Sequence, residues 1–125
     1  MTQRGIQEMK EIIYEIFETF CLEKNEQKII EFLDSFNQCF DFANYEDGKF
    51  LCIVANYGNL KLVKLFIEKY SADVHCCDNH ILYTAAYHEY YDILHYLLFE
   101  LKIDVELIHN CVGYETAINY IKIKK

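Results

Sequence analysis

The sequence predicts an all-α fold, a solenoid of stacked helix pairs. Three observations carry that expectation. The stretch Phe50 to Ile67 is repeated as Ile81 to Leu98, 31 residues on, with Leu51 on Leu82, Ala55 on Ala86, Leu62-Val63 on Ile93-Leu94 and Phe66-Ile67 on Leu97-Leu98. Each copy is followed by an Asp-Val pair, Asp73-Val74 and Asp104-Val105, at the same offset. Each copy also reads as a short helix with a small-residue pair (Val54-Ala55, Ala85-Ala86), a tight turn, and a longer amphipathic helix. A fixed period in this range marks supersecondary units that bury their apolar faces on one another. It points to binding rather than chemistry.

The elements follow in order. Residues 1–7 are expected to fray. Over residues 8–24, Met9, Ile12, Ile13, Ile16, Phe17 and Phe20 recur at spacings of three and four, which gives one apolar helical stripe. Asn25 is placed to cap the next helix, which should run to about Phe36 and bury Ile29, Ile30, Phe32 and Leu33. That helix belongs to a degenerate first unit, 25–48, since Ile29-Ile30 lies 33 residues before Leu62-Val63 and Asp41-Phe42 lies 32 before Asp73-Val74. Two clear repeats occupy 49–79 and 80–112, with turns at Gly58 and at Glu89-Tyr90. A partial unit, 113–125, ends in lysines that suit the negative end of a helix dipole. The chain is read as a single repeat domain, 1–125.

Composition bounds the function. With 53% hydrophobic and 16% aromatic residues the chain has ample material for a core. A net charge of -8 and the lack of any basic run repel a phosphate backbone, which argues against nucleic acid and for a partner with a basic surface. No apolar run approaches the roughly 18 residues of a membrane span. The six scattered cysteines, with no secretory apolar region at the start, read as reduced thiols in a cytoplasmic protein, some serving as small core residues.

At this point the residues carry a resemblance. Leu51-Cys52-Ile53-Val54-Ala55-Asn56-Tyr57-Gly58-Asn59 is similar to the L-H-x-A-A-x-x-G-H segment of ankyrin repeats. Leu62-Val63-Lys64-Leu65-Phe66-Ile67 resembles their I-V-x-x-L-L, and Ser71-Ala72-Asp73-Val74-His75 their G-A-D-V-N. The second copy keeps Asp78, Leu82, Ala85-Ala86, Ile93-Leu94 and Asp104-Val105, and Thr116-Ala117-Ile118-Asn119 resembles a third T-P-L-H start. The proline of that turn is missing throughout, and its histidine is Cys52, Tyr83 and Asn119 in turn. In style the repeats resemble the divergent ones of large DNA viruses and intracellular bacteria. The resemblance implies an ankyrin-type α-solenoid of antiparallel helix pairs, with the N-terminal helix as its cap. It implies no catalytic apparatus and no cofactor, and it implies protein binding through the loop tips and the concave face of the first helices. A host-interaction role, in the cytoplasm of a host cell, follows from the same likeness. Rival readings are a metal-binding regulator and a self-associating structural protein.

Carried onto this chain, the contact face would comprise Asn56, Tyr57, Tyr87 and His88 after the alanine pairs, with Asp47, Lys49, Asp78, Asn79 and His80 in the loops. Tyrosine suits such a role because it is amphipathic and has little conformational entropy to lose. The plain alternative for Tyr57 and Tyr87 is packing between helices. His75-Cys76-Cys77-Asp78-Asn79-His80 is the most chemical-looking stretch, and His109 and Cys111 fall in the equivalent stretch one repeat on. Sulfur and imidazole ligands suit zinc, but the usual C-x-x-C or H-x-x-x-H spacing is missing, and the expectation is no metal. A cysteine nucleophile needs a positioned base and a pocket, and nothing in the sequence supplies them. Lys61, Lys64, Glu68, Lys69, Asp92 and His95 read as a solvated outer surface. Ile118, Tyr120, Ile121 and Ile123 either cap the stack or expose an apolar end that pairs with a second copy, giving a monomer or a weak dimer.

Overall fold

A computed structural model describes residues 3–124. Among these there is no strand, and the chain divides into two compact units, one ending at Phe42 and one beginning at Ala43.

The first unit is a helix pair. Helix α1 spans Gln3–Leu22 and α2 spans Glu26–Phe36. Lys24 turns the chain with a left-handed φ of 56°, and Asn25 caps α2 by accepting the Lys28 N–H at 3.1 Å, which satisfies one of the orphan donors of a helix start. Ile13, Phe17 and Cys21 of α1 are buried, as are Ile29 and Leu33 of α2, while Ile30 and Phe32 are half-buried. Phe32 joins the rings of Phe17, Phe20, Phe36 and Phe42 at centroid distances of 5.0 to 6.4 Å. Two expectations are corrected. Residues 3–7 of the segment expected to fray are helical, and the first two lie outside the described residues. The stripe on α1 is only partly covered, with Met9, Ile12 and Ile16 exposed at 44%, 54% and 39%. The reason is length: within this unit a helix of 11 residues cannot cover one of 20.

The second unit holds the clear repeats. Helix α3 (Lys49–Asn56) turns at Gly58 into α4 (Leu60–Lys64), which continues as a π-helical turn over Leu65–Lys69. Helix α5 (Cys76–Tyr87) turns at Glu89 into α6 (Tyr91–His95), with a second π-helical turn over Tyr96–Glu100. A 3₁₀ turn (Val105–Ile108) and α7 (Tyr114–Lys124) follow. Helix α5 packs between α3 and α7, and α4 packs on α6, so first helices form one row and second helices another. Leu51, Val54, Ala55, Leu82, Ala85 and Ala86 are within 1% of full burial. The alanines let the helices of the first row approach closely.

The backbone obeys the period as strictly as the side chains. Residues with positive φ recur 31 apart: Glu46, Asp47 and Gly48 match Cys77, Asp78 and Asn79, Gly58 matches Glu89, and Ser71 matches Lys102. Left-handed backbone suits Gly, Asn and Asp. The other residues hold it because each repeat imposes it. Cys77, Asp78 and Asn79 (φ 53°, 54° and 63°) interrupt α5, so its regular part starts near His80. At the ends of the second helices the Ala72 and Ile103 N–H groups close back onto the Phe66 and Leu97 carbonyls at 2.9 and 3.0 Å, over the left-handed Ser71 and Lys102. Helices often end with glycine at such a position.

The partial last unit seats on the second repeat at Gly113. A Cβ there would stand 2.8 Å from both the Ala86 Cβ and the Tyr87 backbone N, neither of which can swing aside. Gly113→Ala is therefore expected to destabilise this unit by about 1–3 kcal/mol, the usual cost of overpacking. Urea denaturation of wild type and variant checks it, and an unchanged midpoint would place α7 elsewhere. Ala117 is buried, Ile118, Tyr120 and Ile121 are half-buried, and Ile123 is 76% exposed, so this end is covered only in part.

Candidate functional site

The second repeat carries a continuous run of rings. His80 and Tyr83 lie 6.2 Å apart between centroids, Tyr83 stacks on Tyr87 at 5.7 Å, Tyr87 meets His88 edge-on at 4.9 Å, and His88 stacks on Tyr90 at 5.3 Å. The spacing explains it. His80, Tyr83 and Tyr87 are three and four residues apart on α5, hence on one face, and the turn at Glu89 brings His88 and Tyr90 alongside. Tyr87 and Tyr57 are 50% and 39% exposed.

Asn56 anchors this run to the first repeat. Its side-chain oxygen receives the His80 Nε2–H at 2.8 Å and the Thr84 hydroxyl at 3.2 Å, and its backbone carbonyl receives the Tyr90 hydroxyl at 2.8 Å. Asn56 and His80, expected as contact residues, thus also hold α3 to α5. Burial, and then the neighbouring His88, pushes the His80 pKa down. The unfolded chain therefore binds a proton that the folded chain resists. His80 contributes stability that is fully present above its unfolded pKa, about 6.5, and is lost as pH falls through that value toward the folded one. His80→Gln should flatten the stability profile between about pH 7 and 5, and an equal acid slope in both proteins would remove His80 as its source.

The loop candidates form two fingers at the repeat period. Asp47 accepts the Cys77 N–H at 3.1 Å and its carbonyl accepts the Cys77 S–H at 3.0 Å, so the fingers are bonded to one another. Lys49 pairs with Glu46 at 3.3 Å on the surface. Asn79 is held by His75 at 2.6 Å, and Asp78 is exposed at the tip.

The sulfur and imidazole candidates are not gathered as a set. His75 and His80 are engaged as above, and His109 bonds the Glu106 carbonyl at 3.0 Å. Among the described residues, the thiols that converge are Cys52, Cys76 and Cys77, with sulfurs within 4.8 Å of one another. Cys111 is not among them, and Cys52 is the addition. Donation from the Cys52 thiol pulls the Cys76 pKa down, and Cys52 itself is pushed up, first by its bond to Cys76 and then by burial. Cys21 is a core residue, its thiol pushed up to about 12 by burial, then by Glu18.

A groove of 680 Å³ lies between α6 and α7, lined by Tyr91, His95, Tyr120 and Lys124 and by the acidic residues Glu89, Asp92 and Glu100. Tyr91 stacks on Tyr120 at 5.5 Å, and His95 Nδ1 bonds the Tyr120 hydroxyl at 2.9 Å. His95, expected on a solvated surface, is exposed yet ties α6 to α7, because the last helix reaches that side of the repeat.

A family model of ankyrin repeats in three copies matches residues 19–109. The chain belongs to the ankyrin repeat family. Neither a curated protein nor a solved structure matches it. The matched span takes in both clear ankyrin repeats and the unit before them, and leaves out most of α1 and all of α7. Ankyrin repeats are protein-interaction modules, and in this one the first-helix row presents tyrosine. Among the described residues no helix is long and apolar enough to cross a membrane.

Proposed function

We propose that this ankyrin domain binds another protein through the first-helix face of its second repeat, and that no bond is made or broken in the process. The observation that carries the reading is the ring run His80–Tyr83–Tyr87–His88–Tyr90, with half-exposed Tyr87 at its centre and Tyr57 on the preceding repeat. Exposed, rigid aromatic side chains are the residues around which interface energy concentrates. Asp47, Lys49, Asp78 and Asn79 frame the face at the finger tips. The partner we favour presents basic side chains, since the groove has three acidic residues against one lysine and the chain carries a net charge of -8. We place the protein in the cytoplasm, acting on a host protein in the manner of the viral and bacterial repeats it resembles. Capture of partners from a cell extract with wild type and with Tyr57→Ala/Tyr87→Ala tests the face. Equal capture by both would reject it.

A further inference from the structure

Where the two fingers meet, three thiols from two helices, α3 and α5, come together. Cys52 lies on α3, and Cys76 and Cys77 open α5. The Cys52 and Cys76 sulfurs are 4.0 Å apart, and all three lie within 4.8 Å of one another. We propose that Cys52, Cys76 and Cys77 form a tri-thiolate site for a thiophilic d¹⁰ cation, zinc(II) or copper(I), that clamps helix α3 to the start of helix α5.

Three features of the chain build this arrangement. Gly48 leaves the space that Cys76 fills, since a Cβ at Gly48 would stand 2.5 Å from the Cys76 sulfur. Cys77, Asp78 and Asn79 all adopt left-handed backbone, which folds the Cys77 sulfur back against the first finger. Such a conformation is costly for a residue other than glycine and persists only where its surroundings hold it. The Asp47 carboxylate fixes the Cys77 amide at 3.1 Å. The geometry lies close to what a metal requires. Zinc–sulfur bonds of about 2.3 Å at tetrahedral angles put sulfurs roughly 3.8 Å apart, and the three sulfurs here lie within 4.8 Å of one another, with Cys52 and Cys76 at 4.0 Å.

The donor set selects the ion. Three sulfurs with no imidazole among them favour zinc(II) or copper(I) over magnesium, calcium or manganese, which take oxygen ligands. Three thiolates beside Asp47 would repel one another without a cation. Each cysteine gives up its S–H proton as its bond to the metal forms, so full coordination releases three protons to solvent and changes no oxidation state. Zinc takes a fourth ligand from water or from a partner, whereas copper(I) is satisfied by three sulfurs. The clamp would act on the fingers that carry Asp47, Asp78 and Asn79 and would fix their spacing.

The test uses the full chain, purified without an affinity tag, reduced, stripped of metal and kept anaerobic. It is titrated with zinc(II) alone and with copper(I) alone against a chromophoric chelator. One equivalent is expected to bind, protecting Cys52, Cys76 and Cys77 from alkylation while Cys39 and Cys111 react. Cys52→Ser and Cys77→Ser should each weaken binding at least about 100-fold, and Cys39→Ser should leave it unchanged. Tighter binding of one ion names the resident metal. No stoichiometric binding of either ion, or a protected set other than these three, overturns the proposal. The protection pattern comes from the wild-type chain, so a serine variant that fails to fold does not shield the idea. Air oxidation to a Cys52–Cys76 disulfide in a chain that binds neither ion would make the cluster a redox pair and overturn it too.

Discussion

Phe66→Ala is expected to lower the stability of the second unit by about 3–5 kcal/mol, the range for removing a buried phenyl side chain. Phe66 has no exposure and sits where α4 widens into its π-helical turn, its ring 5.8 Å from that of Tyr70. Its carbonyl also receives the Ala72 N–H that closes the helix. Helix α4, which this turn continues, packs on α3 and on α6. A unit of this size holds only about 4–12 kcal/mol in total, and in a repeat array each unit depends on its neighbours. Most of the margin would go in one substitution. The thermal midpoint should fall by roughly 15 °C or more, read by far-ultraviolet circular dichroism. Ile67→Ala, at the next and only half-buried position, should cost much less. Equal losses at the two positions would mean that the period places the wrong face inward.

That burial was readable beforehand because repetition doubles every measurement. Phe66 matches Leu97 and Ala55 matches Ala86, and all four are fully buried. Period fixes which residues face inward, but it is silent on what one repeat does to the next. Cys52 stands at a turn position where the family has histidine. Nothing in one strand of text says that its sulfur lies 4.0 Å from that of Cys76, 24 residues on. The left-handed finger is a second case. Asp78 and Asn79 are residue types that tolerate it, while Cys77, Ser71, Glu89 and Lys102 are not, and for Ser71 and Glu89 the sign lies in register, where the family pattern or the preceding repeat has glycine. The ring run was half visible. Tyr83 and Tyr87 at i and i+4 on a helix stack by spacing alone. Tyr90, read as a turn residue, joins only because the chain reverses at Glu89 and the Asn56 carbonyl holds its hydroxyl at 2.8 Å. The α1 stripe shows the opposite case: the apolar face and the length of the second helix were both legible, but periodicity alone does not say how much of the face that helix covers.

Tyr57→Ala/Tyr87→Ala should separate binding from folding, and Asn56→Ala should not. The two tyrosines are partly exposed, and surface truncations of this kind usually shift stability by no more than about 0.5 kcal/mol. Centrally placed tyrosines at an interface commonly account for about 2 kcal/mol or more each. The double variant is therefore expected to melt within a few degrees of wild type and to bind a captured partner at least about 30-fold more weakly, a factor equivalent to about 2 kcal/mol. Asn56→Ala removes the oxygen that receives His80 and the buried Thr84 hydroxyl, leaving that hydroxyl without a partner at a cost of about 1–3 kcal/mol. It should lower stability and affinity together, since it loosens α3 from α5 as well as removing an expected contact residue. Isothermal titration beside urea denaturation on all three proteins distinguishes the cases. If the tyrosine pair loses stability and affinity together, the rings are packing residues and the contact face lies elsewhere, with the acidic groove beside Tyr91 and Tyr120 the next surface to vary.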